Sequence, residues 1–218
     1  PSLGSTGAIR AVSDGAIDVA VVGRALTPAE QSHGLRAREV ARTPFVFAVG
    51  PATRATDLTT EQLVAIYRGT RTSWQDGQRI RPVLRPASDA DSELLRAISA
   101  AVAEALQEAR VRPGMLLAIT NTECDQVVER TPGAVGPTSL LQMRAEGRRL
   151  RALSWNGVEP TLANLESGRY PLRKSIWVVV REYPSTGVRR LLSFLSSPQG
   201  RELLRSLGAS PVDASPGE

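Results

Sequence analysis

The strongest constraint on the fold is the alternation of short apolar runs with segments of helical spacing. The runs AIDVAVVG (16–23), PFVFAVG (44–50) and SIWVVVR (175–181) are continuously apolar, as buried strands are. Between the second and third runs, residues 94–106 place Leu, Ile and Val at helical spacing. The alternation predicts an α/β fold with mostly parallel sheets, in which ligands bind beyond the carboxyl ends of the strands.

Length and apolar content bound the organisation of the chain. A chain of 218 residues that is 41% hydrophobic can bury one large core or the cores of two small lobes. There is no run of 18 apolar residues and no charged-then-apolar leader, so we expect neither a membrane span nor an intact secretory precursor. The sequence leaves open whether a leader was removed before position 1. The closing DASPGE is predicted to be disordered.

The charge pattern argues for a basic exterior without a nucleic-acid site. The formal net charge is +5, and Lys174 is the only lysine among the 27 basic residues. Because the arginines are spread among carboxylates without interleaved aromatic residues, biased genome composition is favoured over nucleic-acid binding. A basic exterior favours anionic ligands at long range.

Enzyme chemistry is disfavoured by the side chains available. His33 is the only histidine, Cys124 is the only cysteine and no CxxC occurs, so a metal site, a catalytic triad and an internal disulfide are not expected. The sequence therefore predicts no catalytic residue, no metal and no cofactor.

The opening GSTG (4–7) is a candidate anion seat. It precedes a helix predicted from Gly7 to Asp14, whose leading N–H groups lack partners within the helix and carry the positive end of its dipole. Ser5 and Thr6 can add hydroxyl donors, and glycines such as Gly7 permit close approach of an anion. The alternative is an ordinary Ser/Thr helix cap, and the tetrapeptide alone leaves both interpretations open.

Six motifs occur in an order that is similar to one known family. Together they resemble the phosphate-type substrate-binding proteins of bacterial ABC importers, over almost the whole chain. The motifs are GSTGAIRAVSDGAIDVAVVGRALTPAE (4–30), LTTEQLVAIYRGTRTSWQDG (58–77), VLRP (83–86), TPGAVG (131–136), GVEPTLANLESGRYPL (157–172) and FLSSPQGRELLRSLGASPV (194–212).

The resemblance implies a two-lobed class II periplasmic-binding-protein fold with a ligand cleft that closes by hinge motion. We expect residues 1–48 and 138–218 to form lobe I and residues 49–137 to form lobe II. It also implies that Ser5 binds the ligand. Family members begin with a further strand and helix, so the resemblance implies either a trimmed chain or an incomplete first lobe.

Two positions depart from the family pattern. The strand before Arg24 ends at Gly23, where phosphate binders typically carry an aspartate that accepts a hydrogen from protonated phosphate. After Arg85 the stretch PASDADSELL replaces a Ser-Gly-Thr turn, so that Asp89 and Asp91 stand near the place of hydroxyl donors. Two carboxylates there would repel an anion unless arginine neutralises them or they turn away.

Several candidate ligand residues carry a structural alternative. Arg85 has the bidentate fork that suits tetrahedral oxyanions, and Arg24 follows a buried strand, where it could also pair with a carboxylate. Ser88 could contact the ligand or, like Asp89, cap the next helix. Thr43 could offer a hydroxyl at a lobe crossing or serve a turn.

Weaker candidates are three residues with clear structural roles. Thr120 and Asn121 are expected to cap a helix, with a position facing the cleft as the alternative. Trp74 is expected to pack in the core.

The leading hypothesis is a periplasmic or extracellular, membrane-peripheral binding protein that presents a small oxyanion to the membrane subunits of an ABC permease. One alternative is the effector-sensing domain of a transcription regulator with the same fold. Another is a diverged binding protein that has lost its ligand.

Overall fold

The computed structural model describes residues 3–213, so most of the predicted disordered tail lies outside them. Its helices are α1 (Gly4–Ser13), α2 (Pro28–Gln31), α3 (Thr60–Arg68), α4 (Ala90–Ile98), α5 (Ala100–Val111), α6 (Asn121–Arg130), α7 (Leu140–Ala145), α8 (Leu162–Glu166), α9 (Thr186–Ser196) and α10 (Pro198–Ser206). Its strands are β1 (Val19–Val22), β2 (Leu35–Val49), β3 (Asp57–Leu58), β4 (Arg81–Leu84), β5 (Leu116–Leu117), β6 (Ala134–Ser139), β7 (Arg151–Ala152), β8 (Ser154–Trp155), β9 (Arg173–Arg181) and β10 (Ser210–Pro211).

The main sheet is mixed, with the strand order β1-β9-β2-β6-β4-β5. Strand β2 pairs antiparallel with β6, β7, β9 and β10, and β1 pairs antiparallel with β9. Parallel pairing within residues 3–213 joins β4 to β5, β4 to β6 and β3 to β8. The α/β class is confirmed, but the prediction of mostly parallel sheets is wrong. A continuous apolar run shows that both faces of a strand are covered and says nothing of its direction.

The long strand β2 runs through both halves of the molecule. Its residues Leu35–Pro44 pair with β9, and its residues Phe45–Val49 pair with β6. A register irregularity between Glu39 and Ala41 interrupts the first pairing. Because one strand belongs to two sets of neighbours, the two halves are joined through the sheet itself.

Two groups of core residues lie on either side of this junction. We call lobe I the part built around β1, β9 and β10, and lobe II the part built around β4, β5 and β6. The lobe I core includes Ile9, Val12, Val22, Leu35, Ile176, Val178, Val188 and Leu204. The lobe II core includes Phe47, Leu63, Val83, Leu95, Leu106, Cys124, Val128, Leu153, Trp155 and Tyr170.

The core clusters bear on the lobe boundaries. Leu153, Trp155 and Tyr170 pack with Phe47 and Leu63, although the sequence assigns 138–218 to lobe I. We propose that residues 150–172 belong to lobe II and that the chain returns to lobe I through β9. The other predicted boundaries stay a prediction.

Helix starts follow local capping chemistry. Thr59 caps α3 through a capping box with Gln62, and Gly69 ends that helix in the left-handed conformation. Helix α1 begins at Gly4 rather than at Gly7. Gly4 has φ +66°, a turn into the helix that favours glycine. No helix within residues 3–213 has the length and apolar character required to cross a bilayer.

Candidate functional site

A cavity of about 450 Å³ lies where elements of both lobes meet. Its walls come from the start of α1, the strands β1 and β9, and the starts of α6 and α7. The apolar lining includes Ile17, Val19, Leu141 and Ile176. The polar lining includes Ser5, Gly23, Asn121, Thr122, Ser139, Gln142, Glu146 and Lys174.

A second cavity of about 460 Å³ is lined by Arg71, Arg79, Arg81 and Arg112. It lies wholly on lobe II, between the end of α3 and the start of β4. Ligands of two-lobed binding folds are enclosed between the lobes. The candidate site is therefore the first cavity, which we call the cleft.

Ser5 stands at the cleft and is fixed by the end of β1. Its Oγ accepts a hydrogen bond from the Gly23 N–H at 3.1 Å. Within residues 3–213, helix α1 has no side-chain cap, so the amides of its first turn stay available beside the cleft. Thr6 and Gly7 are exposed and do not line the cleft. Of the predicted opening seat, the structure thus brings only Gly4 and Ser5 to the cleft.

Arg24 is committed to a partner inside lobe I. Its two Nη atoms donate to the two carboxylate oxygens of Glu30, each at 2.8 Å, and Nη2 also reaches the Thr6 hydroxyl at 3.3 Å. The hydrogen bonds from Arg24 lower the pKa of Glu30 to about 2. Of the two interpretations of Arg24, the geometry supports the carboxylate pair rather than an anion contact.

Arg85 is completely buried and does not line the cleft. Its Nη1 donates to the Ala118 carbonyl at 2.7 Å, and its Nη2 donates to Asp89 Oδ2 at 2.9 Å and to Asn121 Oδ1 at 2.7 Å. The guanidinium thus joins three segments of lobe II. Ser5 and Arg85, both candidate ligand residues, do not meet at one open gap, because protein groups surround the Arg85 guanidinium.

The start of α4 is satisfied by the chain's own carboxylate. Asp89 is the N-cap, and its Oδ1 accepts from the Asp91 N–H at 3.0 Å. Burial, followed by the charge of Asp91, raises the pKa of Asp89. Ser88 is exposed, makes no cap and does not line the cleft, so its predicted contact with a ligand is not supported by this geometry.

Lys174 and Asp91 form a buried ion pair between the lobes. Lys174 lies on β9, Asp91 lies in the first turn of α4, and their side chains are 4% and 1% exposed. The Lys174 Nζ donates to Asp91 Oδ1. The sequence interpretation missed this role of Lys174. Its one available signal was that Lys174 is the single lysine of an arginine-rich chain.

Gly23 makes room for the Lys174 side chain. A β-carbon built on Gly23 would lie 3.0 Å from Lys174 Cε, 3.6 Å from Ala90 Cβ and 3.8 Å from Lys174 Nζ. The glycine at the end of β1 therefore lets the lysine pass close to the backbone toward Asp91.

A continuous path of contacts connects the cleft with the buried arginine. Two cations and two carboxylates lie along it, so their formal charges cancel when all four are ionised. The path runs through Ser5, Gly23, Lys174, Asp91, Asp89 and Arg85.

The remaining candidates have structural roles. The buried Thr43 hydroxyl donates to Gly208 O at 2.8 Å and accepts from Leu141 N at 3.1 Å. Its predicted hydrogen bond to a ligand is therefore not supported. Thr120 caps α6, whereas Asn121 lines the cleft. Trp74 is buried as expected, with Nε1 donating to Gly133 O at 3.1 Å.

Two titratable groups near the cleft are perturbed by burial. Burial raises the pKa of the Cys124 thiol, which is the opposite of what a reactive cysteine needs. Burial also raises the pKa of Asp125 to about 7. Asp125 Oδ2 accepts from Gln142 Nε2 at 2.9 Å, so this hydrogen bond joins α6 to α7 beside the cleft.

Curated relatives match nearly the whole chain. The phosphate-binding protein PstS of Bacillus subtilis is 29% identical over 223 residues, which cover 96% of this chain and 69% of that protein. The phosphate-binding protein PstS of Borreliella burgdorferi is 22% identical over 212 residues, covering 94% of this chain and 76% of that protein. Both relatives are named as phosphate-binding proteins.

Solved structures support the same fold. A proposed phosphate ABC transporter substrate-binding protein from Clostridium perfringens, solved with bound phosphate, has a TM-score of 0.78 and 20% identity and covers 97% of this chain and 86% of its own. An ABC-type phosphate transport receptor from Vibrio cholerae has a TM-score of 0.60 and 24% identity, with 95% and 85% covered. A family model described as a PBP superfamily domain matches residues 1–199. The chain belongs to the PBP superfamily, as a solute-binding protein with the two-lobed α/β fold.

Proposed function

We propose that this protein captures phosphate or a closely related tetrahedral oxyanion in the cleft and presents it to the membrane subunits of an ABC importer. The observation that carries the proposal is the hydrogen-bonding state of the cleft's polar side chains. The names of the two curated relatives support phosphate as the first ligand to test.

Three polar side chains of the cleft use an acceptor within the protein and keep donors for a ligand, whereas Thr122 and Gln142 already donate to Glu146 and Asp125. Ser5 Oγ accepts from Gly23 N, and Ser139 Oγ accepts from Gln142 N at 3.2 Å. Each hydroxyl therefore keeps its own hydrogen for a ligand. Asn121 Oδ1 accepts from Arg85, so that its amide hydrogens are left to donate.

The ammonium of Lys174 adds a full positive charge to these donors. An array of donors with one cation suits an anion with several oxygens, and a tetrahedral oxyanion can accept from all of them at once. The net charge of +5 adds long-range attraction for such a ligand.

Transport would follow from the two-lobed arrangement. A ligand that contacts Ser5 on lobe I and Asn121 on lobe II binds the closed form better than an open form, and so shifts the population toward closure. The permease subunits would then recognise the closed form. In this role the protein works outside the cytoplasm, in the periplasm or on the cell surface, as a membrane-peripheral component.

One observation favours a second candidate, a relative that has lost its ligand and serves in protein contacts. Asp89 already occupies the start of α4, and Lys174 already has Asp91 as a counter-ion. Both arrangements satisfy the start of the helix and the lysine charge without a bound anion.

Calorimetric titration separates the two candidates. The ligand-free protein is titrated with phosphate, sulfate, molybdate, tungstate and small organic anions. Transport binding predicts saturable heat with at least one oxyanion. Asn121→Asp is expected to weaken that binding by about tenfold or more, because it replaces amide donors with a negative charge. Asn164→Asp, on α8 away from the cleft, is the matched control. Absence of heat across the panel rejects anion capture.

A further inference from the structure

We infer that Lys174 is the cation that binds the ligand and that Asp91 is a built-in competitor which sets the affinity. The inference rests on the proposed function, since it names the charged group that the cleft offers to an oxyanion. The residues around Lys174 in the sequence form no motif that indicates ligand binding by this lysine.

Lys174 is placed to serve both partners. It lines the cleft, while its Nζ pairs with Asp91 across the lobe boundary. An ammonium has three donors, and within residues 3–213 one hydrogen bond from Lys174 is found. Its passage beside Gly23 brings it to the end of the cleft where Ser5 lies.

Asp91 is only partly satisfied by the lysine. It is 1% exposed, and its Oδ2 has no hydrogen-bond partner within the described part of the chain. A buried carboxylate in this state depends on the Lys174 charge for its stability. An oxyanion in the cleft shares the same ammonium. Its ion pair with Lys174 therefore forms in competition with the pair between Lys174 and Asp91.

The competition predicts opposite changes in anion affinity when Asp91 or Lys174 is removed. Removing the Asp91 charge releases the Lys174 ammonium from its hydrogen-bonded carboxylate and increases the affinity for anions. Removing Lys174 takes away the attraction and leaves the carboxylate, so affinity is lost. A purely structural ion pair would weaken the protein in both cases without raising the affinity in either.

The test uses phosphate titrations of the wild type, Asp91→Asn, Lys174→Met and the double variant. Asp91→Asn is expected to bind phosphate about tenfold or more tightly than the wild type. Lys174→Met and the double variant are expected to lose binding. Asp14→Asn, an exposed charge removal at the end of α1, is the control and is expected to match the wild type.

Asp91→Asn leaves a buried ammonium unpaired and can fail to fold in phosphate-free buffer. Its thermal midpoint is therefore measured with and without phosphate, and we expect a larger upward shift than in the wild type. Equal affinities and equal shifts in Asp91→Asn and the wild type would overturn the role of Lys174. A silent wild type beside a binding Asp91→Asn variant would reject the proposed function and keep the role of Lys174.

Discussion

Gly23 and Lys174 fit together so closely that a β-carbon on the glycine would lie 3.0 Å from Lys174 Cε. The family resemblance places an aspartate at position 23, and this chain instead carries Asp91 on α4, beyond the lysine. A side chain at position 23 would occupy the space through which Lys174 reaches Asp91. The glycine, the lysine and the aspartate therefore form one coupled set.

The first prediction concerns that fit. Gly23→Ala is expected to destabilise the protein by about 1–2 kcal/mol, because the new methyl group must push against a lysine whose end is held by Asp91. The measurement is denaturant unfolding. In a Lys174→Ala background the additional cost of Gly23→Ala should shrink by about 1 kcal/mol.

Gly187→Ala is the control for Gly23→Ala. Gly187 lies in the first turn of α9, and the nearest atom to a β-carbon built there is Ser185 Oγ at 3.9 Å. Alanine at that position should be neutral or stabilising. An equal loss in both variants would contradict the coupling of Gly23 to Lys174.

The second prediction concerns Arg85. Arg85→Met is expected to lower the free energy of unfolding by about 3–5 kcal/mol, because it leaves Asp89 as a buried carboxylate without its counter-ion. The exposed Arg10→Met should change stability by less than about 0.5 kcal/mol, since its pair with Asp14 is at the surface. Comparable stabilities in chemical unfolding of the two variants would show that the Arg85 network is not structural.

The third prediction is a pH dependence caused by Asp125. Its pKa is about 7 in the folded protein and about 3.8 as a free group, so folding favours the protonated form. Its contribution to stability is present below about pH 3.8 and is lost as the pH rises toward and through 7. Relative to the wild type, Asp125→Asn should therefore gain stability with increasing pH, on the order of 1–3 kcal/mol between pH 4 and 8.

The midpoint of thermal unfolding across that pH range is the readout for Asp125. The exposed Asp18→Asn, which removes a carboxylate from a surface pair with Arg181, is measured over the same range as the control. A difference for Asp125→Asn that stays flat across pH 4–8 would show that this carboxyl is ionised in the folded protein throughout.

The fourth prediction concerns Glu30, whose contribution to stability has the opposite pH dependence to that of Asp125. The hydrogen bonds from Arg24 hold the pKa of Glu30 at about 2, below its ordinary 4.5, so folding favours the charged form. The stabilisation is present above pH 4.5 and is lost as the pH falls through 2. Glu30→Gln should cost about 1 kcal/mol or less at pH 7, as the pair is partly exposed, and that cost should vanish in acid.

Unfolding curves of the Glu30→Gln variant at pH 2 and pH 6 test this statement. The exposed Glu202→Gln, on α10, is the control, and no ion pair of Glu202 is found within residues 3–213. If Glu30→Gln and Glu202→Gln have the same effect at both pH values, the Arg24–Glu30 pair contributes no stability.

Local chemistry was readable from the sequence. The α/β class follows from apolar periodicity, and the cap of α6 follows from Thr120, because both depend on residues a few positions apart. Strand direction did not follow. A buried strand such as β9 looks the same in sequence whether its neighbours run parallel or antiparallel to it.

The candidate site was predictable only in part. Ser5 could be singled out from the local GSTG motif and the family resemblance, whereas Arg85 meets partners at Ala118 and Asn121 that lie more than thirty residues away. The pairing of Lys174 with Asp91 spans 83 residues and depends on how the lobes close together. One sequence contains no pattern that reports such a contact.

The most direct measurement of ligand binding in the cleft is a crystal structure of the protein grown with arsenate, whose anomalous scattering marks the position of the anion. We expect the arsenic peak within the cleft, between Ser5 and Asn121 and next to the Lys174 ammonium. A peak confined to the outer surface, or a cleft without arsenic in crystals of the saturated protein, would contradict oxyanion capture between the lobes.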